Sequence, residues 1–178
     1  VCSPVSDTKT ITVNLTTAYV DGSGTNDDSH GTGTGSNAFL TLTYAVSKTC
    51  PTGATINVAG GTYTETGVII PDGTSNLTID GAGMDGAGAT IFDGTQTDRF
   101  LLLNNGGDSD ASGNSSNITI SDMTIKEHRK TDGAGAAIKI EENISTVTIN
   151  NVKFESNQTT GNNIGHGGAV LIEEGSSV

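Results

Sequence analysis

A chain of 178 residues is long enough to bury one substantial core, and nothing in its make-up points to two globular units. It carries 20 acidic against 8 basic residues, a formal charge of −12, so its field repels phosphate and argues against a nucleic-acid partner. With 25 glycines, 3 prolines, no tryptophan and 4% aromatic residues, it suits many turns and small repeated core layers rather than large aromatic plugs.

The 33% of hydrophobic residues gather in short β-branched clusters, unlike the even dilution of a disordered chain, and the pattern is that of an all-β protein. No apolar run approaches the roughly 18 residues of a membrane-spanning helix, and the first residues lack a charged-then-apolar leader. The two cysteines, Cys2 and Cys50, fit either an oxidised pair or two separate thiols. The composition looks secreted, which favours a Cys2–Cys50 disulfide. In the chain-entropy picture that bridge is worth roughly 3–4 kcal/mol.

In chain order, the first notable segment is the loop from Asp21 to His30. Its carboxylates Asp21, Asp27 and Asp28 could collect around a structural Ca²⁺, and an ordinary Asx- and Gly-rich cap loop explains them as well. Ala38 to Lys48 is ambiguous between helix and strand. Ser36 or Asn37 as an N-cap and Lys48 in the last turn favour a short helix.

From about residue 55 the chain repeats. Asn76-Leu77-Thr78-Ile79-Asp80 aligns with Asn117-Ile118-Thr119-Ile120-Ser121 and Thr146-Val147-Thr148-Ile149-Asn150, so that Leu77/Ile79, Ile118/Ile120 and Val147/Ile149 point inward. A second series is Phe100–Leu103, Ala137–Ile140 and Ala169–Ile172. A third, lying between them, is Thr90–Phe92, Met123–Ile125 and Val152–Phe154. Three strands per turn follow, and only stacking of successive turns buries the inner face. The predicted fold is a right-handed parallel β-helix, with residues 1–54 as an N-terminal strand, loop and helical cap and 55–178 as rungs. The repeat shortens from 41 residues (Asn76 to Asn117) to 29 (Asn117 to Thr146), which places an insertion around Gly106 to Ser116. A β-sandwich is the rival architecture.

Within that insertion, Asp108, Asp110 and Ser112 match the start of a calcium loop. Thr119 stands where an EF-hand needs a bidentate Glu, leaving only a looser Ca²⁺ site. Lys126-Glu127-His128-Arg129-Lys130 is the one dense cationic spot, predicted in a turn after Met123–Ile125. Arg129 or Lys130 could serve as the base of a polysaccharide lyase, and local charge pairing in a solvated turn is the plainer reading. His30 and His166 have no second ligand at zinc spacing. The outward ladder Thr78, Thr119, Thr148, shared by three rungs, presents hydroxyls and methyls suited to a sugar or to ice, though stacked threonine is also simply good β packing.

Two stretches carry a resemblance. Tyr19-Val20, Gly24, Asp27, Ala38–Leu42 and Ala45, then Ala54–Val58 and Gly61–Tyr63, resemble the N-terminal cap of the pectin-lyase-like superfamily. Phe154-Glu155-Ser156-Asn157 followed by Gly167-Gly168-Ala169-Val170 is similar to the FxxN and GGA(I/L/V) repeats of polymorphic outer-membrane adhesins, partly echoed at Gly135–Ile138. The resemblance implies a non-catalytic, secreted, cell-surface solenoid. Its partners would be a carbohydrate or cell-surface ligand, its own outer-membrane export or anchoring machinery, or further copies of itself. The alternative is the N-terminal part of a polysaccharide lyase or epimerase. Val178 takes the place after Gly175–Ser177 that Val147 takes after Ile144–Thr146, so the repeat is expected to continue past it.

Overall fold

The computed structural model describes residues 14–27, 29–104, 115–131, 135–160 and 168–178. Strand accounts for 46% of the described residues and helix for 7%, which makes the protein all-β, and every strand pair is parallel. The strands are β1 (Thr17–Val20), β2 (Thr52–Val58), β3 (Gly61–Tyr63), β4 (Val68–Ile70), β5 (Ser75–Gly81), β6 (Thr90–Asp93) and β7 (Leu101–Leu103). They continue as β8 (Ser116–Lys126), β9 (Arg129–Lys130), β10 (Ile138–Ile140), β11 (Ser145–Glu155), β12 (Gln158–Thr159) and β13 (Val170–Ile172). Among the described residues no helix is long and apolar enough to cross a membrane.

Strands pair in files. The first file runs β1, β2, β5 and the leading halves of β8 and β11. The second runs β3, β6 and the trailing halves of β8 and β11, and both belong to one curled seven-stranded sheet. The third file is the four-stranded sheet β4, β7, β10, β13, and β9 pairs β12 alone. The predicted alignments hold residue for residue: Thr78 lies beside Thr119 and Thr119 beside Thr148, Leu101 beside Ile138 and Ile138 beside Val170, Phe92 beside Ile125 and Ile125 beside Phe154. Each series also has members that periodicity did not reveal. β1 and β2 precede β5 in the first file, β3 precedes β6, and β4 precedes β7. β1 therefore supplies a first layer from inside the segment expected to be cap.

Period-2 alternation fixes the inner face. Ala54, Ile56 and Val58, Leu77 and Ile79, and Ile118 and Ile120 are all buried. Val147 is buried, whereas Ile149 is only partly so because β11 has a neighbour on one side alone. The first and third sequence series are not separate strands in the last two layers: β8 and β11 run through both, bending between them at Asp122 (φ 56°) and Asn151 (φ 52°). Asp and Asn tolerate this left-handed backbone better than most residues. Asn76, Asn117 and Thr146 take the same conformation at equivalent positions, φ 53°, 57° and 58°, and Asn117 Nδ2 donates to Asn76 Oδ1 at 3.0 Å.

The cap differs from expectation in its boundary. The helix α1 covers only Leu42–Lys48, and Thr41 rather than Ser36 or Asn37 is its N-cap, its hydroxyl accepting from the Tyr44 N–H at 3.2 Å. The Leu42 and Thr43 N–H groups donate to the carboxylate of Glu65, 23 residues or fewer away in sequence, at 2.8 and 2.7 Å. Ala38 and Phe39 are extended and precede the helix because Phe39 bridges to Val20 and buries its ring against Gly31. Lys48 ends the helix as predicted. Leu42 and Ala45 are buried, and α1 contacts β1, β2 and β4, the first strands of two files.

Close layer spacing leaves no room at Gly81, where a Cβ would sit 2.1 Å from the Asp122 carbonyl oxygen. Gly81→Ala is expected to destabilise the fold by about 1–3 kcal/mol. Thr146→Asn should do the opposite, by about 0.5–1 kcal/mol, because a β-branched residue there holds a backbone angle that asparagine adopts with less strain. Urea denaturation of both variants against the parent checks the opposite signs.

Candidate functional site

The outward face of the first file carries a threonine ladder deeper than the three rungs read from the sequence. Thr17 pairs with Thr55 and Thr55 with Thr78, so Thr17, Thr55, Thr78, Thr119 and Thr148 stand in one register line. The signal was present in Thr17-Ala18-Tyr19-Val20 and Ala54-Thr55-Ile56-Asn57-Val58, which alternate outward and inward as the later repeats do. Two residues on along each strand lies a second outward row, Tyr19, Asn57, Asp80, Ser121 and Asn150. An ice lattice calls for a flat, uncharged face. This row is bulky at Tyr19 and charged at Asp80, and suits the mixed donors and acceptors of a sugar.

Some polar side chains elsewhere in the fold are tied down. Thr90 Oγ1 donates to the Val58 and Ala59 carbonyls and accepts from Ala82 N–H, and Thr124 Oγ1 donates to the Met84 carbonyl at 2.7 Å. By contrast, among the described residues the five ladder hydroxyls, the Tyr19 hydroxyl and the Asn57 amide have no side-chain hydrogen bond. In the second row Ser121 Oγ donates to Asp80 Oδ1 at 2.6 Å. Where the cap overhangs the first three layers, Tyr19, Asn57, Asp80, Asp21 and Thr34 line a cleft of about 250 Å³, floored by Val58, Gly81 and Ala82.

The predicted calcium ligands do not converge among the described residues, where no three His, Cys, Asp or Glu side chains form a group able to hold a metal. Asp21 Oδ1 accepts from the Ser23 N–H at 2.9 Å and from its hydroxyl at 2.7 Å, and these bonds hold its carboxyl below the usual range. Asp27 Oδ1 accepts from the Ser29 hydroxyl and N–H and pairs with His30 Nδ1. The Ser29 hydroxyl and the His30 ring together bring its pKa down to about 2. Both carboxylates thus build turns in the cap loop. Asp28, Asp108, Asp110 and Ser112 lie outside the described residues, as do Cys2 and His166; the half-buried Cys50 places its Sγ 3.4 Å from the Asn14 carbonyl oxygen.

Lysines of the cationic spot pair with nearby carboxylates. Lys126 ends β8 and binds Asp93 at 2.9 Å, Lys130 in β9 binds Asp98 at 3.0 Å, and Arg129 Nε points to Thr160 Oγ1 at 3.4 Å. Its middle member, His128, is fully buried, a placement hidden in the sequence by four charged neighbours. Tyr63, Phe92, Phe100 and His128 form an aromatic file with successive centroids 5.3, 4.4 and 5.5 Å apart. His128 Nδ1 lies 3.0 Å from the Asp98 carbonyl oxygen, its Nε2 is buried with no hydrogen-bond partner among the described residues, and Gly94 packs on the ring. The motif Phe154–Asn157 serves this corner: Asn157 Nδ2 donates to the Ile125 carbonyl at 2.8 Å while its Oδ1 accepts from the His128 N–H at 3.0 Å.

Comparison with family models, curated proteins and solved structures returned no match for this chain.

Burial holds the His128 pKa below its ordinary 6.5, and the Asp98 carbonyl with the carboxylates of Asp93 and Asp98 does not cancel the effect. The unfolded chain takes up this proton first. Stability from neutral His128 is therefore complete above 6.5 and drains away as pH falls from there towards the folded-state value. Thermal melts are expected to decline over that window, and His128→Phe to flatten the decline. Carboxylate protonation belongs to a more acidic range, as the Asp27 value of about 2 illustrates.

Proposed function

We propose that this protein is a non-catalytic, secreted β-solenoid of the cell surface that binds carbohydrate through the threonine-ladder face. The solenoid reading is a right-handed parallel β-helix with three strands per turn. It is supported by the order in which the chain visits the files: β2, β3, β4, then β5, β6, β7, then both halves of β8 and β10, then both halves of β11 and β13. Parallel crossovers of this kind are almost always right-handed. The likeness of the cap to the pectin-lyase-like superfamily and of Phe154–Val170 to the polymorphic outer-membrane adhesins points the same way.

The observation that carries the function is the ladder of five stacked hydroxyls with no protein partner among the described residues. Parallel strands repeat about every 4.8 Å, so the face offers an extended ligand the same hydrogen-bonding group at each layer. A polymer of repeating hydroxyl-bearing units matches such a periodic array. A chain with a net charge of −12 disfavours a polyanionic ligand.

Replacing Thr78, Thr119 and Thr148 together by valine keeps shape and β propensity while removing three hydroxyls. At about 0.5–1.5 kcal/mol each, retention on insoluble polysaccharide is expected to weaken between about tenfold and a thousandfold, with the thermal melt preserved. Equal retention by the variant and its parent would sink this reading. Calcium enters it only as a structural ion of the Asp21–Asp28 or Asp108–Ser112 loops. EDTA is then expected to lower the melting temperature without abolishing retention, and an unchanged melt removes calcium from the account.

A further inference from the structure

The cleft at the head of the ladder differs from the rest of that face. It lies where β1, β2 and β5 end, so Tyr19, Asn57 and Asp80 present three different side chains in adjacent layers, and Asp21 and Thr34 of the cap loop join the lining. Three outward polar pairs join neighbouring strands: Asn76 with Asn117, Asp122 with Asn151, and Asp80 with Ser121 on the side away from the cleft's cap. Tyr19 and Asn57 form no such pair among the described residues, although their strands are in register and hydrogen-bonded. At about 250 Å³ the space falls below the roughly 300 Å³ at which pockets begin to enclose a drug-sized ligand. It can seat one ring of a longer molecule whose neighbouring units lie along the ladder.

The chemistry of the lining selects the ring. A half-exposed tyrosine offers an aromatic face of the kind that packs against the C–H face of a pyranose. Asn57 supplies a donor and an acceptor. Asp21 and Asp80 bring two carboxylates, and the lining contains no Lys, Arg or His. Carboxylates accept strongly from hydroxyl and ammonium donors and repel a uronate.

We infer that this cleft is a saccharide subsite that prefers an amino sugar, holding one unit by Tyr19, Asn57 and Asp80 while the adjoining chain runs over Thr119 and Thr148. The inference rests on the reading of the ladder as a carbohydrate-binding face. Asp80 and Asp21 supply the preference for the amine, Tyr19 the packing surface, and the ladder the length. Such a site strengthens at low salt, because the charge pair it makes with the ligand is partly exposed.

Isothermal titration of the full chain with a chitosan hexamer, cellohexaose and a galacturonic-acid hexamer tests it, with Tyr19→Ala, Asn57→Ala and Asp80→Asn beside the triple valine variant of the ladder. Circular dichroism melts confirm that each variant is folded, and Asn57→Ala stands in should either of the others unfold. The expected order is chitosan oligomer tightest, cellohexaose about tenfold weaker, and galacturonate oligomer not bound. Asp80→Asn should erase most of the gap between the first two, and Tyr19→Ala should weaken both by about tenfold. If the ladder variant loses binding but the three cleft variants do not, the subsite is overturned while the ladder reading stands. Equal binding of the galacturonate oligomer overturns the charge argument and with it the subsite. If the parent binds none of the three, both readings fall.

Discussion

Every layer in this protein is placed by the register of parallel backbone pairing. Because each strand hydrogen-bonds to its counterpart with no offset, a residue type repeated in the sequence becomes a row in space. Inward rows of Leu, Ile and Val make the core, and the outward row of threonine makes the ladder. A one-residue slip would exchange the two faces, so the buried alternation of Leu77/Ile79 and Ile118/Ile120 also fixes where the hydroxyls stand.

The same constraint explains the residues at the bends. Paired strands that bend together need the same unusual backbone angle at matching positions, and Asn76, Asn117 and Thr146 supply it at one set of positions, Asp122 and Asn151 at another. Glu127 and Ser156 share it at a third. Asparagine does double duty: its side chain bridges layers, as Asn117 does to Asn76 and Asn157 does to Ile125 and His128. The short FxxN motif is thus accounted for by the architecture, Phe154 lying beside Ile125 and Asn157 clipping one layer to the one before. Its side chains join neighbouring strands.

Charge follows the same division between structural and available groups. Lys126, Lys130, Lys139 and Lys153 all pair with carboxylates, mostly across layers, as in Lys139 with Glu173 at 3.0 Å and Lys153 with Asp85 at 3.2 Å. These four lysines are taken up in such pairs, and the lining of the cleft carries carboxylates and no cation. His128 is the exception on the inside, an imidazole carried in an aromatic file with one nitrogen unmatched among the described residues.

The sequence by itself determined the all-β class, the three strand series and their residue-by-residue alignment, because alternation with period 2 and recurrence of like residues are local properties that stacking preserves. It also placed a short helix ending at Lys48. Val68–Ile70 did not stand out as a member of the series of Leu101–Leu103 that it pairs with, and the strand expected within residues 1–54 could not be paired from the sequence because its partner lies 38 positions on, at Thr55 opposite Thr17. The N-cap and the burial of His128 were likewise decided by distant partners, Glu65 reaching the helix start and Phe100 and Gly94 enclosing the ring. What only the tertiary structure decided was which polar groups are already satisfied. Asp27 looked available as a ligand and Lys130 as a base, and they are engaged with Ser29 and His30 and with Asp98, while Tyr19 and Asn57 carry no side-chain hydrogen bond among the described residues. Hydrogen-bond partners are settled by contacts between layers, and residue type alone does not carry that information.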